Sequence, residues 1–155
     1  MSEQNLAMHT IHVHKLETYS PEDAAAIGKL MPVLSARLTD EPIGEELLRE
    51  IIESPHHEQL VARIDARIVG AATLSVILGT AAGKQGWLND FVTDPATKGV
   101  GSALWNEMGA WCRDNGIEAL NFTSHPNKTA AQVFYASRAE RRQTNVFLAK
   151  FTEKE

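Results

Sequence analysis

Cysteine is nearly missing from this chain: Cys112 is the only one in 155 residues. A lone thiol builds no internal disulfide framework, and such usage fits a reducing compartment. Long apolar runs are missing too. None approaches the roughly 18 residues of a membrane span, and no basic run followed by an apolar core opens the sequence. The reading is a cytoplasmic protein with no membrane partner. Positive charge is scarce, the net charge being -5, which argues against nucleic acid as the main partner because phosphate backbones are met by a basic face. Repeats and low-complexity segments are also lacking. What remains, 43% hydrophobic and 23% charged residues, describes a single globular domain over residues 1–155 with a sizeable core. Residues 1–8 carry no periodic pattern and are expected to be disordered.

Periodicity gives the elements. Ile11 and Val13 alternate with His12 and His14, which predicts a strand over 10–16. His9, His12 and His14 lie close together, but no Cys or carboxylate stands at matching spacing, so a solvated strand face is expected and no metal site. Ser20-Pro21-Glu22-Asp23 is a helix start, with Ser as N-cap and Pro at N1. Ala24, Ile27, Leu30, Met31 and Leu34 then mark one helical face, and Pro32 should kink or end the helix nearby. A second helix is expected over 43–52, with Leu47, Leu48, Ile51 and Ile52 inward. Residues 59–64 and 67–78 flank Asp65-Ala66 and read as a tight β-hairpin. Residues 79–86 form a flexible hairpin end before a strand over 87–93.

Next comes a helix whose Leu104, Met108, Trp111 and Cys112 form a core-facing stripe, stopped by Asn115-Gly116. A strand over 118–123, a helix over 128–138 and a final strand over 144–151 complete the order. An antiparallel meander followed by βα units implies an α/β (α+β) fold, with a mixed, mostly antiparallel central sheet and helices on both faces.

The stretch from Trp87 to Trp105 stands out. It reads as a strand, a short turn containing Gly99 and Gly101, and the first turns of a helix. A helix start leaves its first N–H groups unpaired at the positive end of the macrodipole, and glycine lets a ligand come close. Such a strand-turn-helix is a candidate phosphate cradle.

Three pieces of the sequence together resemble the GNAT N-acetyltransferase superfamily, from about residue 54 to 151. "SPHHEQLVARIDARIVGAATL" is similar to its strand pair, which ends a hairpin in Ile-Val-Gly. The stretch at 87–105 resembles its acetyl-CoA motif, Gln/Arg-x-x-Gly-x-Gly/Ala after a strand ending in Val. "TSHPNKTAAQVFY" with "RRQTNVF" is similar to its C-terminal helix and closing strand.

The resemblance implies an acetyltransferase that moves an acetyl group from acetyl-CoA, its co-substrate, to a primary amine by direct attack. The acceptor would be a small-molecule or peptide amine. The pyrophosphate would sit on the amides of Lys98, Gly99, Val100, Gly101 and Ser102, with Asn127 or Lys128 a further contact of the cofactor. Pantetheine would pair with the strand edge at 89–93, splayed from the strand at 119–123. An N–H among Phe91, Val92 and Thr93 would face the thioester oxygen. Tyr135 would return a proton to the leaving thiolate. Asp90, through water, is the first candidate for base or amine anchor, and His125 the second. Family members often dimerise, so a homodimer is compatible with the resemblance.

Two departures stand beside it. The Gln/Arg of the motif falls on Ala96 and its following Gly on Thr97, in a loop about two residues short. The Gly-Phe that usually follows the last helix is replaced by an uninterrupted "YASRAERRQTN". These leave two other readings open: an acyl-CoA-binding or regulatory domain that does not catalyse, and a structural or dimerisation module with a vacant cleft.

Overall fold

The computed structural model describes residues 10–152. The unpatterned residues 1–8, and His9, lie outside the described residues. Contacts divide the chain into two compact units, one ending at Phe122 and the other beginning at Thr123.

The first unit contains β1 (Ile11–Lys15), α1 (Pro21–Leu34), α2 (Glu45–Glu53), β2 (His57–Ile64), β3 (Arg67–Gly79), β4 (Gly83–Thr93), α3 (Val100–Asp114) and β5 (Leu120–Asn121). The strands lie in sequence order, β1-β2-β3-β4-β5, in one open sheet. The first three pairings are antiparallel and β4-β5 is parallel. This is the mixed, mostly antiparallel sheet with helices on both faces that the element order implies.

Each face of the sheet has its own core. Leu60, Ala62, Ile64, Val69, Ala72, Leu74 and Leu88 pack against Val100, Leu104, Met108 and Trp111 of α3. Val61, Ile68, Ala71 and Val92 pack against Ile27 and Leu30 of α1. Burying side chains such as Leu74 and Leu104, both fully excluded from solvent, stabilises the fold by about 1.5–3 kcal/mol each. Gly70 sets the spacing of α3 from the sheet. A Cβ there would lie 2.5 Å from Val100 Cγ1 and 2.9 Å from Leu104 Cδ1.

Two bulges interrupt the ladders. Ala62 pairs with Gly70 but Arg63 pairs with Ile68, leaving Val69 as an extra residue in β3. Thr73 pairs with Asp90 but Leu74 pairs with Leu88, so Asn89 is the extra residue in β4.

Local signals read from the sequence hold closely. The Ser20 hydroxyl accepts from the Asp23 N–H at 3.0 Å, and Pro32 falls two residues before the end of α1. Asp65 turns the β2-β3 hairpin with a left-handed backbone, φ 55, which Asp tolerates. Gly116, at φ 67, follows the end of α3 as a stop.

Several expectations need correction. Leu47 does not face inward but is 57% exposed, because α2 points only Leu48 fully into the core. The supposed flexible hairpin end at 79–86 is mostly strand: Gly79 pairs with Gly83, and three residues turn the chain. The strand expected over 118–123 shrinks to Leu120–Asn121. No helix among the described residues is long and apolar enough to cross a membrane.

In the second unit, α4 (Thr129–Ala136) is shorter than the 128–138 expected. The final strand over 144–151 is not formed: residues 140–152 belong to no helix or strand. Alternation makes a segment strand-competent, but a strand exists only with a hydrogen-bonded neighbour.

Candidate active site

The sheet delivers β4 into a tight turn and then into α3. Asp94 builds the turn. Its N–H donates to Val69 O at 2.8 Å, which fastens it to β3. Its side chain accepts from the Ala96 N–H at 3.0 Å and the Thr97 hydroxyl at 3.3 Å, and its carbonyl accepts from the Thr97 N–H at 3.1 Å. Arg67 holds the same carboxylate at 3.5 Å. The short loop is therefore closed by Asp94, and the amides of Ala96 and Thr97 are already used.

From Lys98 onward the arrangement changes. Gly99, the N-cap of α3, takes a left-handed backbone with φ 86, a conformation that costs a residue with a Cβ about 1 kcal/mol or more. The first bond within α3 runs from the Ala103 N–H to Gly99 O at 3.1 Å, so the amides before it point out of the helix end. No side chain caps this end and its first turn holds no acid. By contrast, α1 carries Ser20, Glu22 and Asp23 at its start. The start of α3 thus presents its positive dipole end to an anion, with exposed Lys98 beside it. This chemistry suits a pyrophosphate, and the residues present fit the cradle.

Upstream, β4 leaves β5 early. Their pairing is confined to Gly86 with Leu120 and Trp87 with Asn121. Asn121 pins that junction, its side-chain amide donating to Gln85 Oε1 at 3.1 Å and Gly86 O at 3.4 Å. Beyond it β4 continues to Thr93. Because Asp94 bonds to Val69 across β3, alternation turns the backbone groups of Phe91 and Thr93 to the side away from β3 and those of Val92 toward it. Phe91 and Thr93, not Val92, are the residues whose N–H groups face the splayed side.

The bulge at Asn89 sets what stands on the sheet face toward α1. Thr73 and Ser75 share that face with Ala71 by alternation, and Asp90 lies opposite Thr73. Asn89 donates to the Ser75 hydroxyl. Thr73 donates to Gln59 Oε1 at 2.8 Å, and Gln59 donates to Ala72 O and Leu60 O, both at 3.3 Å. Asp90 meets solvent at its surface, yet the protein around its carboxyl pushes its pKa above the ordinary carboxylate value. The partners Gln59, Thr73, Ser75 and Asn121 were not singled out from sequence. The spacing of Thr73 and Ser75 inside an otherwise apolar strand was the available signal.

The second unit holds the remaining candidates. Tyr135 is half-buried on α4, and burial pushes its phenol up. Its ring stands edge-on to Phe134, 5.7 Å between centroids. Phe134 and Tyr135 are both half-buried, and Val133, at 74%, is the exposed residue beside them. Arg138 covers the other side of Phe134 at 3.7 Å. His125 closes a turn: Nδ1 lies 3.4 Å from the Asn127 N–H, and its carbonyl accepts from the Lys128 N–H at 3.0 Å. Asn127 is exposed in that turn. His12 and His14 are exposed on β1, with Arg63 donating to His14 Nε2 at 2.9 Å.

Solved structures share this fold. An aminoglycoside acetyltransferase from an uncultured soil metagenomic sample, in complex with sisomicin, superposes with a TM-score of 0.76 at 17% identity, covering 93% of this chain and 97% of that one. A ribosomal-protein-alanine N-acetyltransferase from Brucella melitensis biovar Abortus 2308 gives 0.71 at 16% identity, over 92% and 100%. The aminoglycoside N-acetyltransferase AAC(6')-Iy in complex with CoA gives 0.73 at 17% identity, over 91% and 95%. No curated protein sequence matches the chain. The acetyltransferase (GNAT) family profile matches residues 29–139, and the chain therefore belongs to the GNAT acetyltransferase family.

Proposed function

We propose that this protein is an N-acetyltransferase that carries the acetyl group of acetyl-CoA to a primary amine on a small molecule or peptide. The observation that carries this reading is the continuity of the site: a strand edge splayed from its neighbour runs into a helix start with no side-chain cap. Acetyl-CoA, when bound, supplies the activated acetyl thioester. The amides from Lys98 to Ser102 hold its pyrophosphate, with Asn127 a further contact. The edge of β4 at Phe91 and Thr93 lines its pantetheine arm, and their amides orient the thioester oxygen, while Val92 faces β3. Asp90 accepts a proton from the amine through water, a role supported by its raised pKa. Tyr135 stays protonated at neutral pH, its pKa being raised from 10.0, and donates to the thiolate.

A non-catalytic acyl-CoA sensor is the second reading. It is favoured by one feature, the small Ala96 where the family motif has Gln or Arg. Loss of one charge-assisted hydrogen bond weakens binding by about 1.5–3 kcal/mol.

One pair of measurements separates the readings. Acetyl-CoA at a hundred times its Kd should add about 2.7 kcal/mol to stability, a melting shift of roughly 5–10 °C. Free-thiol release across a panel of primary amines should then follow. A shift without thiol release favours the sensor, and no shift at millimolar acetyl-CoA removes both.

A further inference from the structure

Three polar residues stand side by side on a sheet face that is otherwise apolar. Gln59 of β2 pairs with Thr73 of β3, and Thr73 pairs with Asp90 of β4. Around them on this face lie Val61, Ala71 and Val92, packed against α1. Directly opposed residues bring their Cβ atoms about 4.5–5.5 Å apart. Gln59 is 4% exposed and Thr73 8%, and burying such groups is unfavourable unless each finds a partner.

The partners fix the direction of each bond in this row. The side-chain nitrogen of Gln59 lies 3.3 Å from both Leu60 O and Ala72 O. A carbonyl oxygen only accepts, so the end of the amide that faces both must be its NH₂ group. Gln59 Oε1 is thereby turned to Thr73 Oγ1 at 2.8 Å, and an amide oxygen also only accepts. The single proton of the Thr73 hydroxyl is committed to Gln59. What Thr73 has left for any further partner is lone pairs, and it has them on the residue directly opposite Asp90.

Building on the N-acetyltransferase reading, we propose that Thr73 is a positioning residue that orients the water between Asp90 and the amine. That water has two protons to place. Ionised Asp90 accepts one and the Thr73 oxygen accepts the other, so a lone pair of the water is turned toward the amine. Two residues and the amine make three partners, within the two to four that hold an ordered water. When the ammonium form of the amine gives up its proton, an N–H bond breaks and an O–H bond forms on the water. The water's own proton passes at the same time to the Asp90 carboxylate, which becomes neutral, and the water is regenerated. Asp90 then sheds the proton to the solvent it meets at its surface. A Thr73 hydroxyl free to rotate would offer its proton to the same lone pair and compete with the amine. Gln59 removes that alternative, which gives a buried glutamine among apolar neighbours a chemical purpose.

Steady-state free-thiol release by the full chain, with the fastest primary amine of the panel, tests this. Thr73→Val keeps the shape and removes the acceptor, and Gln59→Met frees the Thr73 proton. Each should lower kcat/KM for the amine about tenfold. The acetyl-CoA KM and the melting shift that acetyl-CoA produces should stay as in the wild type. Thr73→Ser, which keeps the hydroxyl, should remain within about twofold of the wild type. In an Asp90→Asn background, Thr73→Val should lower the rate no further, because the relay is already broken. A Thr73→Val enzyme as fast as the wild type overturns the inference. So does a Ser variant as slow as the Val variant, or a Val effect that multiplies with Asp90→Asn, since either reveals a merely structural role. A wild type that releases no thiol with any amine fails one step earlier, and removes the N-acetyltransferase reading together with this inference.

Discussion

At the scale of single residues, the roles proposed for Asp90 and Tyr135 place opposite demands on pH. Asp90 must be ionised to accept a proton, so its raised pKa sets an acidic limb that lies above the ordinary carboxylate value of 3.8. Asp90→Asn should lower kcat/KM by about a hundredfold and abolish that limb in a pH-rate profile. The same substitution has a stability consequence. A carboxyl with a raised folded pKa binds its proton more tightly in the native state, so stability falls as pH rises through the window from the unfolded value to the raised one. Asp90→Asn should therefore raise the melting temperature slightly at pH 7, with the difference vanishing below the unfolded carboxyl pKa. Tyr135→Phe should reduce kcat by about ten- to a hundredfold and remove a basic limb above pH 10. An unchanged kcat at every pH would discard Tyr135 as the donor. Asp90 was legible only through the resemblance, because its environment depends on a bulge that strand alternation does not announce.

At the scale of elements, the local devices were readable because their causes are local. Ser20 before Pro21, Asp65 between two apolar runs, and the Leu104-Met108-Trp111 stripe each act within a few residues. The failures are non-local. The length of β5 depends on where β4 diverges from it, and the 144–151 segment became no strand because alternation does not name a neighbour. The cradle is the element most open to test. Gly99→Ala forces a Cβ into φ 86, although the nearest atom, Ile11 Cδ1, is an ordinary 3.5 Å away. The cost falls on the backbone turn and not on the core. Calorimetric titration should find acetyl-CoA affinity reduced about five- to tenfold, with the melting temperature of the unliganded protein lowered by only a few degrees.

At the scale of the whole molecule, the order of elements made the fold class legible, because a meander followed by βα units has few compact solutions. The depth of contact between layers was not. Gly70 sits in a run, Ile68-Val69-Gly70-Ala71, that reads simply as apolar strand, and nothing in it announces that α3 lies against a missing side chain. Gly70→Val should hold α3 off the sheet, costing about 1–3 kcal/mol. Thermal unfolding should begin roughly 3–10 °C lower. Acetyl-CoA binding should weaken with it, since the cradle rides on the same helix.

The bulge in β4 makes the strand tolerant of loss at one place. Gly86, Leu88 and Phe91 turn toward the α3 side and Val92 toward the α1 side. Removing Asn89 leaves Leu88, Asp90, Phe91 and Val92 in strict alternation, with every apolar residue still on its own face. Deleting Phe91 instead reverses the residues that follow, a slip that sheets rarely survive. A deletion scan along β4 should thus find tolerance only at the bulge, where losing either Asn89 or Asp90 keeps the alternation, in a strand otherwise intolerant of shortening. Deletion of Asn89 should give a folded protein that melts cooperatively and turns over poorly, whereas deletion of Phe91 should give no cooperative melt. Asn89 would then be a residue kept for the chemistry of the site, one that the fold itself can spare.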